Sequence, residues 1–331
     1  RILAMGHITL DAGGTVSQSP LSALQTDATA AGTLVPTTSS TLTVSTGGDL
    51  QIFGLVQTAD AGSEIHLTAA GQVFIDGLVQ AGRLLAVQGG THTSGAAVLV
   101  TPLVLLSDGQ GHLVDDQGRL MDDDYFLVNT AGQYVDEAGE VLPDDAAPVL
   151  GGDSVRLAGG ELRTRAGGRI TLDADAGILL QGTVGGVSLA GGVLAANTDE
   201  VSATSTEGAL TVTGRVDAAS SVALTGANIN VLAGATVKTY DAGADVRVRA
   251  TDTAFVQAAS GALAAGRVQA PDLVHLMGGD VRIHGNVVST AGRVLLNAVE
   301  DVDVQGSVSA AGNVEVNVWR ADSHARAQGG L

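Results

Sequence analysis

The chain is 331 residues long and 45% hydrophobic, yet it holds only four Phe, three Tyr and one Trp, so any buried interior has to be built from Ala, Val, Leu and Ile. A formal charge of −19 repels phosphate backbones and anionic lipid and excludes nucleic acid as a partner. The absence of Cys excludes disulfides, cysteine-zinc sites and thiol catalysis. No apolar run approaches the ~18 residues of a membrane helix, so no membrane insertion is expected of this segment. The 46 Gly stand against only six Pro, which excludes a proline-rich linker. The sequence begins at Arg1 without a signal-like segment and reads as processed or as part of something longer.

In chain order, residues 1–90 are expected to form β-helix coils, with 1–40 as irregular coils or a cap, because 11–40 are rich in Ser, Thr and Ala with weak alternation. From about residue 41 a pattern sets in: apolar, any, apolar, any, Gly, any, apolar. It occurs at 50–56, 73–79, 178–184, 210–216, 281–287 and 302–308, centred on Gly54, Gly77, Gly182, Gly214, Gly285 and Gly306, with a relaxed copy around Gly234. A second alternating segment starts eight residues earlier, at Ile65, Ile170 and Val294, and the repeat length is 20–23 residues. Period-two alternation means strands with one face inward. Recurrence at this length means a solenoid, one coil per unit. The fold class is therefore all-β: a right-handed parallel β-helix with two or three short strands per coil. Division of the roughly 265 residues of regular units, with the insertion described below set aside, by about 21 gives 12–13 coils and a rod of about 60 Å at the interstrand spacing. Glycine suits the corners for two reasons: it tolerates positive φ, and it lets backbones approach closely. The alternation points Ile283 and Val304 inward and Arg282 and Gln305 outward.

Between residues 91 and 152 the coil pattern stops. Residues 101–150 hold eleven acids and one base, Arg119, and residues 111–124 repeat at 132–145 with six identical positions. Asp-x-x-Gly between short apolar stretches reads as hairpin turns, so this segment is a small antiparallel β insertion. Its carboxylates Asp115, Asp116, Asp122, Asp123, Asp124, Asp136, Glu137, Asp144 and Asp145 are candidates for a weak Ca²⁺ site, since calcium takes six to eight oxygens. Neither the EF-hand loop nor the calcium β-roll nonapeptide is present, and solvated turns explain the same acids. No other cofactor is expected. Coils resume over 153–318. Residues 319–331 read as a tail or as the start of a further coil.

Stretches such as 279–287, 291–296 and 311–316 resemble the β-helical repeats of filamentous-haemagglutinin-like exoproteins, the large adhesins of Gram-negative bacteria. The likeness covers about 40–90 and 151–318. It implies an extracellular or cell-surface location, a structural and adhesive role in a surface or matrix fibre, and a host-surface or matrix ligand. No residue is expected to carry catalysis. An alternative is a β-helical polysaccharide-processing or tailspike-like protein, for which Asp173 with Asp175, or Glu300, Asp301 and Asp303, would be the paired acids. Tyr240 and Trp319 are the Tyr and Trp outside the insertion that such an enzyme could use as platforms. A third reading is a calcium-dependent binding module centred on 101–150. His66 and His284 sit at outward strand positions, and the seven His are too dispersed for a zinc motif. Unpaired strand edges at the rod ends imply self-association or contact with neighbouring repeats.

Overall fold

The computed structural model describes residues 1–27, 39–90, 106–107, 113–114, 119–121, 128–131, 133, 135, 141, 153–190, 193–320 and 325–327. Among these there is no helix. The chain winds through three parallel sheets of eleven strands each. Each coil contributes one strand to every sheet in the same order. Coil 3, for example, runs Leu55–Gln57 in sheet 1, Glu64–Ala69 in sheet 2 and Val73–Ile75 in sheet 3. Coil 4 continues with Leu78–Gln80 and Leu84–Gly89, paired in register with the strands below. This is a parallel β-helix.

Among the described residues the coils number eleven rather than 12–13, and ten steps of about 4.8 Å make about 48 Å of rod. The shortfall comes from coils of unequal length. Val268 pairs with Val287 only nineteen residues on, but Val184 pairs with Val216 and Val237 with Val268, about thirty residues apart in each case. The extra chain lies at corners. One such corner holds an unforeseen hairpin of Val187–Ala190 with Val193–Ala196, and another is the loop 257–266 with its Ser260–Leu263 bridge. Within the irregular coils expected over 1–40, Ile2–Leu3, Ile8–Ala12, Val16–Gln18 and Ala23–Gln25 are strands of coils 1 and 2, where inward Leu24 and Ile8 meet Val56 and Leu42 of the next coil. At the other end Ala325–Ala327 pairs with Val302–Val304 as the sheet 3 strand of coil 11. In the insertion, Leu106–Ser107, Leu113–Val114 and Leu120–Met121 form a three-stranded antiparallel sheet.

Each inward column is aliphatic. In sheet 2, Leu42, Ile65, Leu85 and Ile170 stack with no exposed surface. Each such side chain is worth about 1.5–3 kcal/mol on burial. Ile283 and Val304 are buried, whereas Gln305 is exposed and Arg282 reaches out to Asp280 at 2.8 Å. Near the end of most sheet 2 strands the inward column is small, with Ala69, Gly89 and Ala174 in successive coils. There the chain turns sharply into sheet 3. At the opposite corner Asp27 takes a positive φ of 55° and is fully buried. Its Oδ2 accepts from Ser40 Oγ at 2.9 Å, Ser63 Oγ at 3.2 Å and the N–H groups of Ala59 and Asp60 at 3.3 and 3.2 Å. One carboxylate thus ties coil 2 to coil 3 at a place where aliphatic packing is interrupted.

The repeat glycines stack directly on one another. A Cβ on Gly77 would collide with the carbonyl oxygen of Gly54, on Gly182 with that of Gly160, on Gly214 with that of Gly182, and on Gly306 with that of Gly285. None of Gly54, Gly77, Gly182, Gly214, Gly285 and Gly306 has positive φ. Of the two reasons glycine suits a corner, only close backbone approach applies here. Gly160 and Gly266 belong to the same column, and a Cβ on Gly266 would lie 2.6 and 2.7 Å from the carbonyl oxygens of Val231 and Leu232. Gly234 does not belong to it. It turns a longer corner at φ 84°, and Ala235 takes the column position, with Thr236 N–H donating to Gly214 O and Arg267 N–H to Ala235 O, both at 3.0 Å.

Gly77→Ala should therefore destabilise the rod by about 1–3 kcal/mol, the cost of forced overpacking. Gly14→Ala meets nothing within 4 Å at a φ outside the left-handed region, and should stay within about 1 kcal/mol of the parent. Urea denaturation of the two variants checks this; equal midpoints would remove the steric role of the column.

Candidate functional site

The residues singled out in the sequence are dispersed over the rod. Asp115, Asp116, Asp122, Asp123, Asp124, Asp136, Glu137, Asp144 and Asp145 all lie outside the described residues. Among the described residues no group of three or more His, Asp or Glu is placed to hold a metal ion. Asp173 and Asp175 are exposed at the end of a sheet 2 strand. Glu300 accepts from Arg320 at 2.9 Å, and Asp303 accepts from Gln305 at 2.8 Å beside His284 at 3.2 Å. These acids of the last coils are engaged in outward ladders rather than opposed across a cleft. His66 contacts Glu64 at 3.0 Å, and His284 stands edge-on to Phe255. Trp319 is 61% exposed beside the last sheet 2 strand, and Tyr240 lies three coils away on another corner.

Outward side chains repeat from coil to coil and bond along the rod. On sheet 1, Gln25 donates to Gln57 and Gln57 to Gln80, each at 3.3 Å. Arg163 closes this ladder with two bonds to Gln80 Oε1 at 3.0 and 2.7 Å. Farther along the same column Asp217 is fully buried. Arg215 donates to it at 3.1 and 3.3 Å, and Tyr240 Oη donates to its Oδ1 at 2.9 Å. Lys238, the only lysine of the chain, stands 4.3 Å from the centre of the Tyr240 ring. The Arg215 guanidinium holds its proton more tightly than usual, first because of its bond to Asp217. Burial, followed by the Asp217 charge, pushes the Tyr240 phenol up to about 12. The group is internally satisfied, which makes it a lock between coils 7 and 8.

The cavity that stands out lies at the corner between sheets 1 and 2. That corner is short in coils 4 and 5, at residues 81–83 and 164–167, and longer on either side, at 58–63 in coil 3 and 185–197 in coil 6. Beside these corners lies a notch of about 340 Å³ lined by Glu64, Arg83, Leu84, Gly167, Gly168, Arg169, Asp199 and Glu200. Arg83 is ion-paired to Glu64, and Arg169 to Glu200 at 2.6 Å. The hydrogen bond from His66, then Arg83, lowers the pKa of the Glu64 carboxyl against the opposing effect of burial. Glu64, Leu84, Arg169 and Glu200 occupy one register column. They immediately precede the inward aliphatics Ile65, Leu85, Ile170 and Val201, and charge at that phase of successive repeats was the available sequence signal. What it lacked was the winding that brings residues of four coils to one place.

Folded protein holds the Tyr240 proton more tightly than the unfolded chain, so this group's contribution to stability is complete below pH 10 and is lost as pH rises through about 12. The phenolate absorbance that disappears in Tyr240→Phe should titrate near 12, and Asp217→Asn should bring it part of the way back towards 10. A Tyr240 that ionises at 10 in the parent protein would show the cluster is not formed.

No protein-family model, curated protein or solved structure matches the chain.

Proposed function

We propose that the chain is a structural and adhesive rod segment of a large secreted surface or extracellular-matrix fibre of a Gram-negative bacterium. The reading is supported first by the architecture. Three eleven-stranded parallel sheets make a stiff spacer, and among the described residues no strand pairs with the outer edges of coils 1 and 11. In coil 1, Ile2 is 45% exposed and Met5 51%; in coil 11, Val316 is 38% exposed beside Trp319. Open ends of this kind template further strand pairing. The inward columns would continue without interruption if coil 1 of one copy sat on coil 11 of another, because Val308, Val314 and Val316 would face Ile2, Ile8 and Leu10. Such a contact is heterologous and does not close, so it builds linear assemblies. The likeness of 279–287, 291–296 and 311–316 to haemagglutinin-like repeats supports the same reading. In this role the inward aliphatics and the glycine column carry the function by fixing length and rigidity, and ligands of a host surface or matrix meet the outward faces.

Trp319 is the only tryptophan and sits at the end that would be covered. Sedimentation velocity should show elongated oligomers that grow with protein concentration, together with a blue shift of Trp319 emission. Val316→Lys with Trp319→Glu should suppress the growth while leaving the β-sheet circular dichroism unchanged. A parent protein that remains monomeric at millimolar concentration would contradict the rod-segment reading.

A further inference from the structure

We propose that the notch between coils 3 and 6 is a binding site for a neutral glycan, holding one or two sugar rings of a longer chain. It goes beyond the rod reading, which rests on the ends and the core and stands whether or not the notch is filled. Its volume of about 340 Å³ is at the lower limit of small-molecule pockets, the scale of such a segment. The floor is Leu84, half-buried and apolar, suited to the C–H face of a pyranose. The two ends are guanidinium–carboxylate pairs, Arg83 with Glu64 and Arg169 with Glu200.

A guanidinium has five donors and a carboxylate about four lone-pair sites, so a paired set keeps donors and acceptors free side by side. Vicinal hydroxyls, each both donor and acceptor, need that combination. The side chains are also held before any ligand arrives: Glu64 is bonded by His66 at 3.0 Å as well as by Arg83. Preorganisation of this kind reduces the ordering cost of binding. Charge decides between neutral and anionic sugars. Arg83 and Arg169 face Glu64, Asp199 and Glu200, which leaves one carboxylate in excess on a chain of net charge −19. A sulfate, phosphate or uronate would have to displace a bonded carboxylate against that field.

The test is direct binding to the intact protein. Neutral hexasaccharides of glucose, galactose and mannose form one arm of an isothermal titration, and heparin and polygalacturonate form the other. At least one neutral hexasaccharide should bind. Arg169→Met should weaken it about tenfold or more, the effect of losing a charge-assisted hydrogen bond. Leu84→Trp, which fills the notch, should abolish it. Arg282→Met, which removes an exposed ion pair on sheet 3, should leave affinity unchanged. Exposed ion pairs contribute little to stability, so the melting temperature of both Arg variants should match the parent. Binding of the anionic polymers alone, binding of none of the hexasaccharides, or equal losses in Arg169→Met and Arg282→Met would each overturn the proposal.

Discussion

The structure depends on how closely one coil can lie on the next. Parallel pairing sets a spacing of about 4.8 Å between strands. At the corner between sheets 3 and 1 the backbone itself must meet that spacing. A side chain on Gly77, Gly182, Gly214 or Gly306 would occupy the carbonyl oxygen of the coil below. Glycine at this position in eight of the eleven coils, Gly54, Gly77, Gly160, Gly182, Gly214, Gly266, Gly285 and Gly306, lets the coils stack at that spacing, and the rest follows. Inward residues recur at fixed phases, so a narrow interior fills with stacked Val, Leu and Ile, and outward residues recur too, giving the glutamine ladder and the Asp217–Tyr240 lock.

The same repetition explains what could be read from sequence. Period-two alternation and the recurring Gly identified a parallel β-helix, and the loss of alternation after Gly90 marked an insertion, whose described strands are antiparallel. The coil count was less legible, because a mean repeat of about 21 residues conceals corners as different as 81–83 and 185–197. Coil 1 was legible only as an irregular coil, since the alternation of Ile8–Ala12 lasts five residues before Gly13 and Gly14 intervene. Gly234 was grouped with the column glycines although Ala235 fills that role, a distinction that rests on hydrogen-bond register and φ rather than on residue type. The notch was invisible for a related reason: Glu64, Arg83, Arg169 and Glu200 are scattered over more than a hundred positions of sequence, and only the winding stacks them.

A rod built this way separates stability from specificity. The interior and the glycine column tolerate little change, whereas corners accept chains of very different length at small entropic cost. Variation in corner length creates relief on an otherwise uniform surface, as in the hairpin of Val187–Ala190 with Val193–Ala196. Binding features on such a scaffold come from the corners, and reach and stiffness come from the stacked sheets.

The central claim is that sequence-distant residues sit on one straight column at a fixed rise per coil. Thr43 and Arg247 occupy the same outward column of sheet 2, six coils apart. The chain has no native Cys, so Thr43→Cys with Arg247→Cys gives a unique pair of spin-label sites. Pulsed electron–electron resonance should return a narrow distance distribution centred at about 29 Å, six steps of about 4.8 Å. A broad distribution, or a distance far from that value, would contradict the stacked-coil account.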